Sequence, residues 1–291
     1  MAAPLSQVFF PSSFQELFLA WNRFPEAVLY AGGTGIIRDQ GRRNLVLPRN
    51  IISLDKLEEL GKISRTERYI EIGAMVRLNQ IIGLGKIVPE AIIRCLECIA
   101  GPQLRNLATI GGNICNPSRR LDCSAPMIAL DAQYELRTAQ SSRWIAASRF
   151  TSLQGLLELA PQELLTRIRI PLDPWTFTRY HKFYTAGSNE PGNSMLFIMR
   201  NQKNILTNVR VVYSGQTILR DKDDETMLEG KHLPLDRKDA RAFIDRWKNY
   251  LSRMEGVGKF TYQVKTGCSD PELVKVQIRN FIESTIMSMA D

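Results

Sequence analysis

Two pairs of adjacent glycines constrain the fold of this 291-residue chain more than any other feature of it. One lies in Leu29-Tyr30-Ala31-Gly32-Gly33-Thr34-Gly35-Ile36. The other lies in Thr109-Ile110-Gly111-Gly112-Asn113, approached through Gly101 to Ala108 and left through Ile114 to Asp122. Paired glycines between apolar residues mark places where backbone rather than side chain must approach something. A loop of bare N–H groups suits a phosphate, and two such loops could close on one diphosphate from opposite sides. A dinucleotide fold of the Rossmann type would need Gly-x-Gly-x-x-Gly, a long helix and a later acidic residue. Gly32, Gly33 and Gly35 with Arg38 soon after do not follow that pattern.

The chain is 44% apolar, enough to bury a full core, and its length suggests about two domains. No run approaches the roughly 18 apolar residues of a membrane span, and Met1 to Pro11 lacks the layout of a signal peptide. The sequence therefore leads to the expectation of a cytoplasmic protein. Five cysteines argue for reduced thiols rather than a disulfide framework. The net charge is +8, but the basic residues are dispersed and not interleaved with aromatics, which argues against nucleic acid. An anionic cofactor or an acidic partner subunit accounts for the surplus equally well.

Along the chain, Ser13-Phe14-Gln15-Glu16 resembles a capping box, and Phe14, Leu17, Phe18 and Trp21 share one helical face. Ala27 to Ala31 reads as a strand, Asn44 to Pro48 as a second, and Tyr69 to Gly73 as a third with half-buried alternation. Leu78 to Leu84 reads as helical. A firmer helix runs from Pro89 at its first position through Ile92, Cys95, Leu96 and Ile99 to Gly101-Pro102. Ala125 to Leu130 reads as one or two helical turns. Gln133 to Arg137 and Leu164 to Pro171 read as strands, and Pro171 and Pro174 mark a boundary.

The remainder differs in texture. Strand runs at Phe177 to Tyr184, Ser194 to Arg200 and Ile205 to Tyr213 precede an acidic loop, Asp221 to Glu225, and two amphipathic helices. One helix aligns Ala240, Phe243, Ile244, Trp247 and Leu251. The other starts at Ser269-Asp270-Pro271-Glu272 and aligns Val274, Ile278, Phe281, Ile282 and Ile286. A small antiparallel sheet with helices on one face satisfies this order.

Together the two glycine stretches, Asp122, the Ile168-Arg169-Ile170-Pro171 strand end and Met227-Leu228-Glu229-Gly230-Lys231 resemble the FAD-binding medium subunit of the molybdenum hydroxylases. This is the xanthine dehydrogenase and carbon monoxide dehydrogenase family. The resemblance implies an α+β FAD-binding PCMH-type fold, as in vanillyl-alcohol oxidase: two subdomains, about 1–54 and 55–173, followed by a C-terminal α/β domain of the carbon monoxide dehydrogenase flavoprotein type over 174–291. By position, Leu29, Tyr30, Ala31, Gly32, Gly33, Thr34, Gly35 and Ile36 match the first loop on the FAD diphosphate. Thr109, Ile110, Gly111, Gly112 and Asn113 match the second. Ile99 matches a residue packing near the flavin, and Asp122 an acid that accepts bonds from FAD hydroxyls. Leu165 and Lys182 match positions beside the isoalloxazine ring. Gly35 stands where the family often carries an acid, and Arg119-Arg120 where small residues are common.

The resemblance also implies an electron-transfer subunit. Its partners would be a two-cluster iron-sulfur subunit and a molybdenum cofactor subunit, with NAD one candidate acceptor. No catalytic acid or base is expected on this chain, and no covalent flavin attachment motif is present. His181 and His232 are far apart and lack metal spacing. Cys95 and Cys98, i and i+3 neighbours on a helix with Cys115 and Cys123 within reach, more often mean buried small hydrophobes than cluster ligands; some relatives carry an extra iron-sulfur cluster held by cysteines of an inserted loop, and this sequence has no comparable insertion. Two other functions fit the same composition: a self-contained flavin reductase of this fold, and a flavin-free scaffold subunit.

Overall fold

The computed structural model describes residues 6–39, 46–116, 122–151, 157–184, 191–215, 218–253 and 271–290. Two compact units form: residues 1–88, 99–123 and 130–172 in the first, and 89–98, 124–129 and 173–291 in the second. Elements are numbered in chain order.

The first unit opens with a three-stranded parallel sheet of β1 (Gln7–Phe9), β2 (Val28–Tyr30) and β3 (Asn50–Ser53), in the order β1-β3-β2. The parallel register sets Ile51 opposite Val8 and Ile52 opposite Leu29. Helix α1 (Phe14–Arg23) starts where Ser13 Oγ accepts the Glu16 N–H at 3.2 Å. The reciprocal arm of the expected capping box is displaced by one residue. The Glu16 carboxylate accepts from the N–H and hydroxyl of Ser12, at 2.8 and 2.9 Å, and these bonds lower its pKa. Phe14, Leu17 and Phe18 turn into a core with Ile52, Leu54, Leu57 and Leu60.

The expected strand at Asn44 to Pro48 is not found: residues 44–45 lie outside the described residues, and 46–48 are irregular. Pairing falls instead on Asn50–Ser53, which is buried on both faces as a central parallel strand requires. The first glycine stretch runs into a short helix, α2 (Thr34–Asp39).

A five-stranded antiparallel sheet completes this unit: β4 (Ile63–Arg65), β5 (Tyr69–Gly73), β6 (Gln133–Arg137), β7 (Ser142–Ala146) and β8 (Leu164–Pro171), ordered β4-β5-β8-β6-β7. Alternation sends Ile70, Ile72, Tyr134, Leu136, Ile168 and Ile170 into the core. The other face carries Glu71, bridged by Arg167 at 3.0 Å and Arg169 at 2.7 Å. The Arg169 guanidinium also lies over the Trp144 and Tyr69 rings. Helices α3 (Leu78–Gly83), α5 (Pro102–Arg105), α6 (Ile110–Ile114) and α8 (Ala147–Phe150) complete the unit.

The second unit is built on an antiparallel sheet of β9 (Phe177–Tyr184), β10 (Pro191–Gln202), β11 (Ile205–Ser214) and β12 (Ile218–Leu219), ordered β12-β11-β10-β9. One face packs Phe183, Met195, Phe197, Val211 and Tyr213 against helices α10 (Arg237–Arg253) and α11 (Pro271–Met287). The start of α11 at Ser269-Asp270 lies outside the described residues. Helices on one face only were expected, but α4 (Glu90–Glu97) also packs on β9, and α7 (Ser124–Ala129) on β10 and β11. Both come from much earlier in the chain, where the composition of the C-terminal part gives no sign of them.

The supposed acidic loop, Asp221 to Glu225, is the helical turn α9 (Lys222–Thr226), capped by the Asp221 side chain on the Asp223 N–H at 2.9 Å. Acidic side chains in a first turn favour this, because they face the positive end of the helix dipole.

Candidate functional site

The two glycine stretches are distant in sequence but meet in the first unit. Strand β2 ends at Tyr30 and turns through Gly32 and Gly33, and a Cβ built on Gly32 would lie 2.1 Å from the Leu107 carbonyl oxygen and 3.2 Å from the Ala108 Cα. No side chain fits there, so backbone packs on backbone. Gly33 has φ +70°, and a Cβ on it would lie 2.1 Å from the Tyr30 hydroxyl. A Cβ on Gly35 would meet the Asn116 amide at 2.4 Å. Asn116 stands in the sequence just behind the second stretch but was not among the expected site residues.

The two stretches differ in what their backbones offer. In α2 the first N–H to bond back is that of Ile37, to the Gly33 carbonyl at 3.1 Å. The N–H groups of Thr34, Gly35 and Ile36 therefore lie ahead of the first intrahelical bond, as in any first helical turn. The second stretch was expected to be a loop of bare N–H groups, and here the structure corrects the sequence reading. Thr109 caps α6, its Oγ1 accepting the Gly112 N–H at 3.1 Å. The N–H of Ile110 goes to Val76 O at 3.0 Å, that of Gly111 to Ala74 O at 2.9 Å, and that of Asn113 to Thr109 O at 3.0 Å. All four donors from Ile110 to Asn113 are engaged within the chain. Gly111 is a packing glycine: a Cβ there would lie 2.7 Å from the Ala74 Cβ.

Asp122 is buried, at 5% exposure, and accepts from the Asn113 side-chain amide at 3.4 Å. The Asn113 carbonyl oxygen in turn accepts the Cys123 N–H at 3.3 Å. Asn113 thus ties the end of α6 to the segment that carries Asp122. Arg119 and Arg120 lie outside the described residues. Helix α6 packs on β8, the strand carrying the buried Leu165. Ile99 is buried one residue past the Cys98 cap of α4, short of the longer helix expected there, and Arg105 donates to its carbonyl at 3.2 Å. The structure therefore gathers both glycine stretches, Asp122 and Leu165 within one unit.

Lys182 belongs to the second unit. It is buried, at 7% exposure, and its Nζ donates to the Cys98 carbonyl at the C-terminal end of α4, at 3.4 Å. A cation there is favoured by the helix dipole. Arg220 caps α7 in the same way, donating to Ile128 O at 2.9 Å.

Burial raises the pKa of the Cys115 thiol to about 12, which disfavours the thiolate. Cys95 and Cys123 are buried among apolar side chains. Among the described residues, no group of three or more His, Cys, Asp or Glu side chains is arranged to hold a metal ion. No helix among them is long and apolar enough to cross a membrane.

Residues 4–173 match the family described as the FAD binding domain in molybdopterin dehydrogenase. The xanthine dehydrogenase FAD-binding subunit of Escherichia coli O157:H7 is 31% identical over 153 residues, covering 52% of this chain and 52% of the relative. The carbon monoxide dehydrogenase medium chain of Afipia carboxidovorans is 35% identical over 146 residues, covering 50% of each. The chain thus spans about half the length of these curated relatives. Among solved structures, quinoline 2-oxidoreductase from Pseudomonas putida 86 superposes with a TM-score of 0.80 at 17% identity, covering 100% of this chain and 98% of the other. Carbon monoxide dehydrogenase from Hydrogenophaga pseudoflava gives 0.79 at 21%, covering 100% and 98%. At such identities the likeness shows the fold alone, in agreement with the α+β FAD-binding PCMH-type arrangement expected from the sequence.

Proposed function

We propose, because this chain belongs to the family of the FAD binding domain in molybdopterin dehydrogenase, that it holds FAD as the electron-transfer subunit of a molybdenum-containing hydroxylase complex. In this reading its partners are a two-cluster iron-sulfur subunit and a molybdenum cofactor subunit, and NAD is one candidate for the final acceptor. The accompanying domain division, 1–173 for FAD and 174–291 for the C-terminal part, belongs to the same proposal.

The observation that carries this reading is the seating of Gly32 on the Leu107 carbonyl, which sets both glycine stretches side by side. The residues fit the cofactor. Gly32, Gly33 and Gly35 let the turn into α2 pack closely on Leu107, Tyr30 and Asn116, and the N–H groups of Thr34, Gly35 and Ile36, ahead of the first intrahelical bond, can face a diphosphate. The second stretch, Thr109 to Asn113, has its donors engaged and acts as a shaped wall on the opposite side. The buried Asp122 carboxylate would accept hydrogen bonds from FAD sugar or ribityl hydroxyls, with Asn113 steadying it.

FAD accepts electrons singly and hands them on as a pair, chemistry that belongs to the cofactor. The chain's part is to bind and orient it. Leu165 and Ile99, both buried in the first unit, would supply apolar surface near the ring.

Purification from the native source tests the reading. A yellow chain with a flavin spectrum, accompanied by iron and molybdenum, is expected. A colourless chain would leave the scaffold function standing, and a yellow, metal-free chain with its own substrate turnover would replace the relay with a self-contained reductase.

A further inference from the structure

The guanidinium of Arg77 reaches two segments that the backbone does not connect. It donates to the carbonyl of Leu107 and forms an ion pair with Asp55 at 3.6 Å. Leu107 O is the atom on which Gly32 packs. One carbonyl oxygen therefore receives a charged donor and also lies against the Gly32 backbone. The main chain of Arg77 is held just as closely to this region, since it bridges Thr109, and the flanking bonds Leu78 N–H to Ala108 O and Ile110 N–H to Val76 O are each 3.0 Å.

Asp55 follows β3, whose neighbour β2 leads into the first glycine stretch, and the Leu54 N–H donates to Tyr30 O at 2.9 Å. Arg77 is thus joined through Asp55 to the segment bearing the first stretch and through Leu107 to the segment bearing the second. The planar fork of arginine suits such a two-ended bond, which a lysine point charge cannot reproduce in full.

We propose that Arg77 is a positioning residue for the cofactor site: it clamps the Leu107 carbonyl against Gly32 and so fixes the gap between the two glycine stretches. This rests on the reading that those stretches hold the FAD diphosphate. Without the clamp, the Leu107 carbonyl loses its charged donor and the two walls separate, although each keeps its own backbone pairing.

The test uses the full-length apoprotein, with FAD as titrant followed by quenching of flavin fluorescence, and the apo melting temperature measured in parallel. Arg77→Met removes a bond that the chain makes without FAD, so the apo melting temperature falls by a few degrees, and FAD binding, measured well below that temperature, is expected to weaken by about 10-fold as the gap between the stretches loosens. Arg77→Lys is expected to recover part of the affinity. Asp55→Ala, at an exposed position, is expected to weaken binding by a few fold, an effect that shrinks at high salt. Gly112→Val probes the underlying site reading, because Gly112 is exposed and a Cβ there would lie 2.8 Å from the Thr109 hydroxyl and meet nothing else. If Gly112→Val binds FAD normally, the site reading fails. If Gly112→Val loses FAD while Arg77→Met keeps native affinity, the clamp is refuted. Should Arg77→Met fail to fold, native FAD affinity in both Arg77→Lys and Asp55→Ala would refute it equally.

Discussion

The backbone N–H of Gly111 donates to the carbonyl of Ala74 at 2.9 Å, and the space where a Gly111 side chain would stand is filled by Ala74 itself. This glycine belongs to the packing of α6 on the end of β5, whereas its neighbour Gly112 is exposed. Two adjacent glycines therefore have different reasons to be there.

Substitution separates them. Gly111→Val forces a branched side chain against Ala74 and is expected to cost about 1 to 3 kcal/mol of stability, visible as a lower apo melting temperature. Gly112→Val is expected to fold normally and to purify poor in flavin. Equal melting temperatures for the two variants would show that Gly111 does not have the packing role described.

Asp122→Ala removes a buried carboxylate that accepts from Asn113. Loss of a charge-assisted bond is worth about 1.5 to 3 kcal/mol, so FAD affinity should fall by roughly 10-fold to 100-fold. Isothermal titration of the apoprotein measures this, and Asn113→Ala should give a smaller loss in the same direction. Unchanged affinity with a lowered melting temperature would assign Asp122 to structure alone.

Glu163 gives a pH signature within the first unit. Arg143 grips it at 2.7 and 2.8 Å, and the Ala160 N–H adds a bond at 2.9 Å. The Arg143 bond, opposed by burial and aided by Ala160, lowers its pKa below the ordinary 4.5. Because the folded value is depressed, this stability is fully present above the unfolded pKa and is lost as pH falls through the folded one. Arg143 is half exposed, so the pair is worth about 1 kcal/mol. Urea midpoints for Glu163→Gln should lie below native at pH 7, with the gap closing at a pH low enough to protonate Glu163 in the folded chain. A constant gap at both pH values would exclude the ion pair as the cause.

The chain alone should not turn over a hydroxylase substrate. In the proposed relay the substrate chemistry belongs to a partner subunit, and the described residues of this chain hold no group of three or more metal-ligating side chains. Rapid-mixing spectroscopy of the flavin checks this: a purine or aldehyde should leave it oxidised until the partner subunits are added. Reduction of the flavin by the lone, metal-free chain would point to a self-contained oxidoreductase.

Local chemistry made much of this legible. Ser13 and the face of Phe14, Leu17 and Phe18 set α1, because a cap and a 3.6-residue period are properties of a short window. Alternation gave β5 and β8, and the glycine pairs marked close approaches, of Gly32 to the Leu107 backbone and of Gly111 to Ala74. What the sequence could not supply were relations between distant residues. Nothing in Asn50–Ser53 distinguishes it from the apolar run before it until β1 and β2 pair on either side. Nothing near Arg77 signals that its guanidinium meets Leu107, since such a contact depends on where two strands and a helix bring the backbone. Nor could the sequence tell which N–H groups stay available: in α6 they are taken by Ala74, Val76 and Thr109, while in α2 three precede the first intrahelical bond. The residue types in the glycine stretches were determined by sequence alone. Which stretch has its N–H groups engaged and which has them ahead of its first intrahelical bond was decided by tertiary structure, because a hydrogen bond is made by whatever acceptor the fold places within about 3 Å.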